Sequence, residues 1–133
     1  MKIKESLTIA SRVCQEGAES CQRYLVRLNA RGVGWGSIPV MIYRVRETLR
    51  NYAQEYAYLS DIVLANATNE AFNEYRAVFV EQMTRELAYI YAVIAELLAT
   101  QNHPDASVFM TDMLKTQDGI RALKKTLMLE NVE

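Results

Sequence analysis

Ile3, Leu7, Ala10, Cys14, Gly17, Cys21, Tyr24 and Leu28 follow one another in alternating steps of four and three. That rhythm matches the 3.6-residue turn of an α-helix and conflicts with the two-residue alternation of a half-buried strand. Val13 and Leu25 widen the stripe, so the chain is expected to open with a helix from about Ile3 to Ala30. Three glycines in Arg31-Gly32-Val33-Gly34-Trp35-Gly36 end it.

The spacing then repeats. Ser37 suits an N-cap and Pro39 the first helical turn, where a missing N–H costs nothing. Ile38, Ile42, Val45, Leu49, Tyr52, Tyr56, Leu59 and Val63 predict a second helix. Asn66-Ala67-Thr68-Asn69 marks a boundary. Phe72, Tyr75 or Arg76, Phe79, Met83, Leu87, Ile90, Ile94 and Leu97 predict a third, ending near His103-Pro104. Two shorter helices are expected around Val108–Leu114 and Gly119–Met128, the last with Ile120, Leu123 and Leu127 inward. No hairpin signal lies between alternating runs. The fold expected is therefore all-α: a bundle of three long helices plus two shorter C-terminal ones, with breaks near residues 31–37, 65–69 and 101–106.

The chain of 133 residues has the size of one domain, expected to span residues 1–133. Half the residues are hydrophobic and 23% are charged, which argues against disorder. No run approaches the ~18 apolar residues of a membrane span. The N-terminal MKIKESLTIASRVCQ lacks an apolar signal core, so a cytoplasmic location is expected.

The chemistry-bearing residues are few. Cys14 and Cys21, seven apart on one helix, have Cα atoms about 10.5 Å apart, beyond the ~7 Å that a disulfide tolerates. Buried thiols are the expectation. With one histidine, His103, in a polar turn, neither a four-ligand zinc site nor a Ser-His-Asp arrangement is indicated. The carboxylate pairs Glu70/Glu74 and Glu81/Glu86 lack the Glu-x-x-His partner of a di-metal bundle. The Gly32–Gly36 run has neither a preceding strand nor a terminal Gly-Lys-Ser/Thr, so it does not read as a phosphate loop. No catalytic residue, metal or cofactor is expected.

Binding is the remaining class. Residues 1–60 carry nine Lys/Arg against five Asp/Glu, and residues 61–133 six against eleven, so a net charge of −1 hides halves of +4 and −5. Arg23, Arg27 and Arg31 line one side of the first helix. Arg44, Arg46 and Arg50 follow just across the glycine turn. An antiparallel pair brings these toward one end, where phosphates or a nucleic-acid backbone could bind. The same arginines also suit a solvated face: Glu19 precedes Arg23 by four residues, and Glu47 lies near Arg44 and Arg50. Arg27 and Arg31 have no acid at such spacing. Tyr43, Tyr58 and one of Tyr89 or Tyr91 fall off their apolar stripes and, with Trp35, suggest self-association or docking.

The proline-led opening Ser37-Ile38-Pro39-Val40-Met41-Ile42 after a long first helix resembles the small subunits of type III CRISPR effector complexes, those of the Cmr (type III-B) kind most. The closing run Met113-Leu114-Lys115-Thr116-Gln117-Asp118-Gly119-Ile120-Arg121-Ala122-Leu123 is similar to that family's final turn and helix. The resemblance implies a non-catalytic subunit in antiviral defence, stacked in copies along the crRNA-bearing backbone. It implies contact with other subunits of the ribonucleoprotein and with the guide–target RNA through basic patches, with no membrane partner. The competing expectation is a helical protein-binding module, a homo-oligomeric adaptor or a phage- or plasmid-encoded inhibitor, without nucleic-acid contact.

Overall fold

The structure, a computed structural model, describes residues 2–30, 32, 37–63, 104–129 and, between 78 and 96, all but positions 79, 83, 87 and 94. Helix α1 spans Lys2–Ala30 and α2 spans Ser37–Tyr58, closing in a single π-helical turn, Leu59–Val63. Helix α3 is helical at every described position from 78 to 96, and α4 spans Pro104–Leu129. Among the described residues there is no strand, and no helix is long and apolar enough to cross a membrane.

The apolar stripe of α1 is its buried face. Leu7, Ala10, Cys14, Cys21, Tyr24 and Leu28 are all within the core. On α2 the same holds for Ile42, Val45, Leu49, Tyr56 and Leu59, while Ile38 and Tyr52 pack at its margin. Gly32 ends the α1 region with a φ of 80°, a conformation that strains any side-chain-bearing residue, and its N–H donates to the Asn29 carbonyl at 3.0 Å. The π turn widens the end of α2 so that Leu59 and Ser60 are buried together.

Cross-helix hydrogen bonds fix the registers. Ser11 Oγ donates to the Ala53 carbonyl at 2.6 Å, and Thr8 and Ser60 share a hydroxyl pair at 3.3 Å, so α2 runs antiparallel to α1. On the other flank Ser6 meets Thr126, Ser20 meets Asp112, and Tyr24 stacks on Phe109 at 4.7 Å between centroids. Each step along α1 is thus matched by a step back along α4. α1 is the central helix, flanked by α2 and α4, and α3 adds Ile90 and Val93 to the shared core.

The all-helical expectation holds, but its C-terminal part is corrected. Two short helices were expected there; one helix of 26 residues runs through Gly119 without a break. The polar run Lys115–Asp118 looks like a turn in isolation. Here Thr116 and Gln117 are each 2% exposed, because small or hydrogen-bonded side chains are needed where α4 approaches α1. A methyl at Gly17 would lie 2.5 Å from Thr116 Oγ1, and one at Gly119 would lie 2.6 Å from Val13 Cγ1. Pro104 opens α4, so the expected break at 101–106 reaches into its first turn.

Candidate interaction surface

Arg46 is the most constrained of the six sequence-selected arginines. It sits on the α1-facing side of α2, with its side chain 18% exposed. Its Nε and Nη2 donate to Glu47 Oε1 at 3.2 and 2.8 Å, and Nη1 donates across the helix pair to Gln22 Oε1. The guanidinium carbon also lies 4.7 Å from the centroid of the Tyr43 ring. A planar cation with several donors can serve all of these at once, which an ammonium could not. The same Glu47 oxygen is 3.6 Å from Arg50 Nη1, so one acid serves two arginines.

Arg23 lies on the opposite flank. Its Nη2 is 3.8 Å from Asp112 Oδ2, the oxygen that accepts the Ser20 hydroxyl at 2.6 Å. Arg27 borders the same α1–α4 cleft beside Tyr24 and Val108, and it too has an interaction within the chain. The described arginines therefore do not form one cluster: α1 separates Arg46 and Arg50 on its α2 side from Arg23 and Arg27 on its α4 side. Arg44 is exposed and has no ion pair among the described residues. Arg31 and Trp35 lie outside the described residues, as do His103, Glu70 and Glu74.

The tyrosines selected as off-stripe are at the surface. Tyr43 is 42% exposed and Tyr58 57%; Tyr91 is exposed, whereas Tyr89 packs against the core. Val26 of α1 and Val40 of α2 are exposed as well, near the end of the helix pair where Gln22 and Arg46 meet. A Tyr–Arg couple flanked by aliphatic side chains has the composition of an interface centre.

The two thiols are withdrawn from solvent. Cys14 and Cys21 are free and buried. Burial pushes both thiols up to about 12, with the Glu86 carboxylate adding to the rise at Cys14 and Arg46 partly opposing it at Cys21. Among the described residues no group of three or more His, Cys, Asp or Glu side chains could hold a metal ion. Glu81 pairs with Arg85 at 3.2 Å in solvent, not with Glu86.

Sequence reasoning named Glu86 only as half of a carboxylate pair and missed its burial, and it missed Gln22, Ser20 and Asp112 altogether. Glu86 was legible in principle: it precedes Ile90 by four and Val93 by seven, the spacing of a buried helical stripe. The other three acquire their roles only through pairing between distant helices. No protein-family model, curated protein or solved structure matches this chain.

Proposed function

We propose that this chain is a non-catalytic helical module that docks onto a protein partner through the α1–α2 end bearing Tyr43, Arg46, Val26 and Val40. The observation that carries this reading is the Tyr43–Arg46 couple. Tyr43 remains 42% exposed while the cation against its ring is held by Glu47 and Gln22. A contact group already fixed in place loses little entropy on binding, and an aromatic on a short stem loses least. Three of the arginines that could have served phosphates, Arg23, Arg46 and Arg50, instead lie beside acids of the chain itself.

The test is photo-crosslinking in cells with a photo-activatable phenylalanine analogue in place of Tyr43, compared with the same analogue in place of Tyr58. Adducts at position 43 are expected on protein, with few at position 58. Adducts on RNA, or none at either position, would overturn the reading.

A second reading keeps the RNA-contacting small subunit of a type III effector complex. It is favoured by Arg44, exposed and without an ion pair among the described residues, and by Arg23 and Arg50. Those two side chains remain 59% and 53% exposed beside their acids. Pairs so open to water contribute about 0–1 kcal/mol and exchange readily for phosphate. The specific family rests on the resemblance of the Ser37–Ile42 and Met113–Leu123 segments.

A further inference from the structure

Glu86 is the one acidic side chain on the core-facing stripe of α3, in line with the buried Ile90 and Val93. Its Oε1 is shut off from solvent and finds no hydrogen-bond partner among the described residues. Its charge is felt by Cys14 of α1 and by Tyr52 and Tyr56 of α2; both tyrosines also feel Glu55, and Tyr52 feels the cation of Arg85. The adjacent Arg85 is turned to Glu81, with 73% of its side chain in solvent. The residue as a whole is half-buried, but with one oxygen so placed an ionised carboxylate is offset neither by a facing charge nor by a full set of donors, which favours the protonated form or opening.

We propose that the Glu86 carboxyl is a proton-operated latch on α3: protonated, it lets α3 close over Cys14, Tyr52 and Tyr56, and ionised, it favours opening of α3 away from α1 and α2. Opening would uncover the apolar faces that α3 now covers, giving the chain a surface conditional on pH. The latch is independent of which partner the exposed Tyr43 end binds.

The sign follows from the carboxyl itself. Burial raises Glu86 from 4.5 to about 6 in the closed state. A group raised on closing favours closure fully below its open-state value, and that preference fades as pH climbs through 6. The change from 4.5 to about 6 sets a ceiling of about thirty-fold on the growth of opening from low to high pH, and water around the half-buried side chain keeps the effect below it. Between about pH 5 and about pH 8 the ceiling is roughly eight-fold.

The experiment is hydrogen–deuterium exchange of the full chain across that range, corrected for intrinsic exchange rates, with α4 as internal reference. In the wild type, opening of residues 80–93 should rise several-fold relative to α4, up to roughly eight-fold. In Glu86→Gln, an isostere that cannot ionise, the ratio should be flat. A flat wild type, or the same rise in Glu86→Gln, would overturn the proposal. If Glu86→Gln fails to fold, the carboxyl carbon of Glu86 followed by NMR in the unaltered protein decides. A midpoint near 6 supports the latch, and one near the ordinary carboxylate value of 4.5 removes it.

Discussion

Val13 of α1 and Gly119 of α4 are packed so closely that a methyl group on Gly119 would fall 2.6 Å from one Val13 γ-carbon and 3.0 Å from the other. Neither γ-carbon can swing far, because valine branches at Cβ. Gly119→Ala should therefore lower stability. An overpacking cost of ~1–3 kcal/mol outweighs the gain of about 1 kcal/mol from replacing a helical glycine. In a Val13→Ala background both γ-carbons are gone and the valine position keeps only its Cβ, at 3.1 Å, so the same substitution should cost less than it does beside Val13. Urea melts of the four proteins give the coupling; a stabilising Gly119→Ala in both backgrounds would mean that α4 does not approach α1 so closely.

Asp112 links two interactions of unequal worth. Ser20 is 3% exposed and donates to the carboxylate at 2.6 Å, whereas Arg23 reaches the same oxygen at 3.8 Å with most of its side chain in water. A hydrogen bond to a charged acceptor contributes about 1.5–3 kcal/mol; an exposed ion pair, about 0–1. Ser20→Ala should cost more than Arg23→Ala in the same denaturation assay. The reverse order would show that the α1–α4 contact is held by charge.

The two stripes on α1 and α2 were legible because each is a strictly local pattern. Leu7 through Leu28, and Ile42 through Leu59, keep helical spacing without help from the rest of the chain. α4 was not, because Gly119, Thr116 and Gln117 resemble a turn until α1 is set beside them. The candidate site divides the same way. Exposure of Tyr43 and Tyr58 followed from their positions off the stripe. The fates of Arg23 and Arg46 depended on Asp112 and Gln22, residues of other helices whose proximity only the antiparallel registers determine.

The thiols give a pH prediction of definite sign. Cys14 and Cys21 are raised from 9.0 to about 12 by burial, so the folded state disfavours thiolate more than the unfolded state does. Their stabilising contribution is whole below 9 and is lost as pH rises toward 12. Native protein should resist a thiol reagent at about pH 8, where almost no thiolate exists, and react at once in denaturant. Alkaline unfolding should move to higher pH in Cys14→Ala/Cys21→Ala if that variant folds. Rapid native labelling of both thiols would mean that the α1 stripe is open to solvent.

The arginines separate the two functional readings. Contacts to phosphate are independent of base sequence and weaken with salt, because each neutralised phosphate releases condensed counterion. Arg46 is unsuitable as a probe: its ties to Glu47, Gln22 and Tyr43 mean that replacing it changes the helix pair as well as the charge. Arg44, exposed and without an ion pair among the described residues, is the better probe, with Arg27 and Arg31 added for their spacing in the sequence. If these three meet an RNA backbone, reversing them to Glu should weaken binding of the full chain to a homopolymeric RNA. The slope of log affinity against log salt should become shallower by about 2–3, at roughly 0.7–0.9 per contact. A melt of each protein checks the folding: an exposed charge such as Arg44 usually shifts stability by no more than ~0.5 kcal/mol, while Arg27 also has an interaction within the chain. Docking through Tyr43 predicts a different pattern. Any RNA affinity and its slope would be the same in wild type and triple variant, while Tyr43→Ser would abolish the protein adducts seen by crosslinking from neighbouring positions. Coincident salt slopes would remove the RNA reading, and a slope reduced in proportion to the charges reversed would establish it over docking.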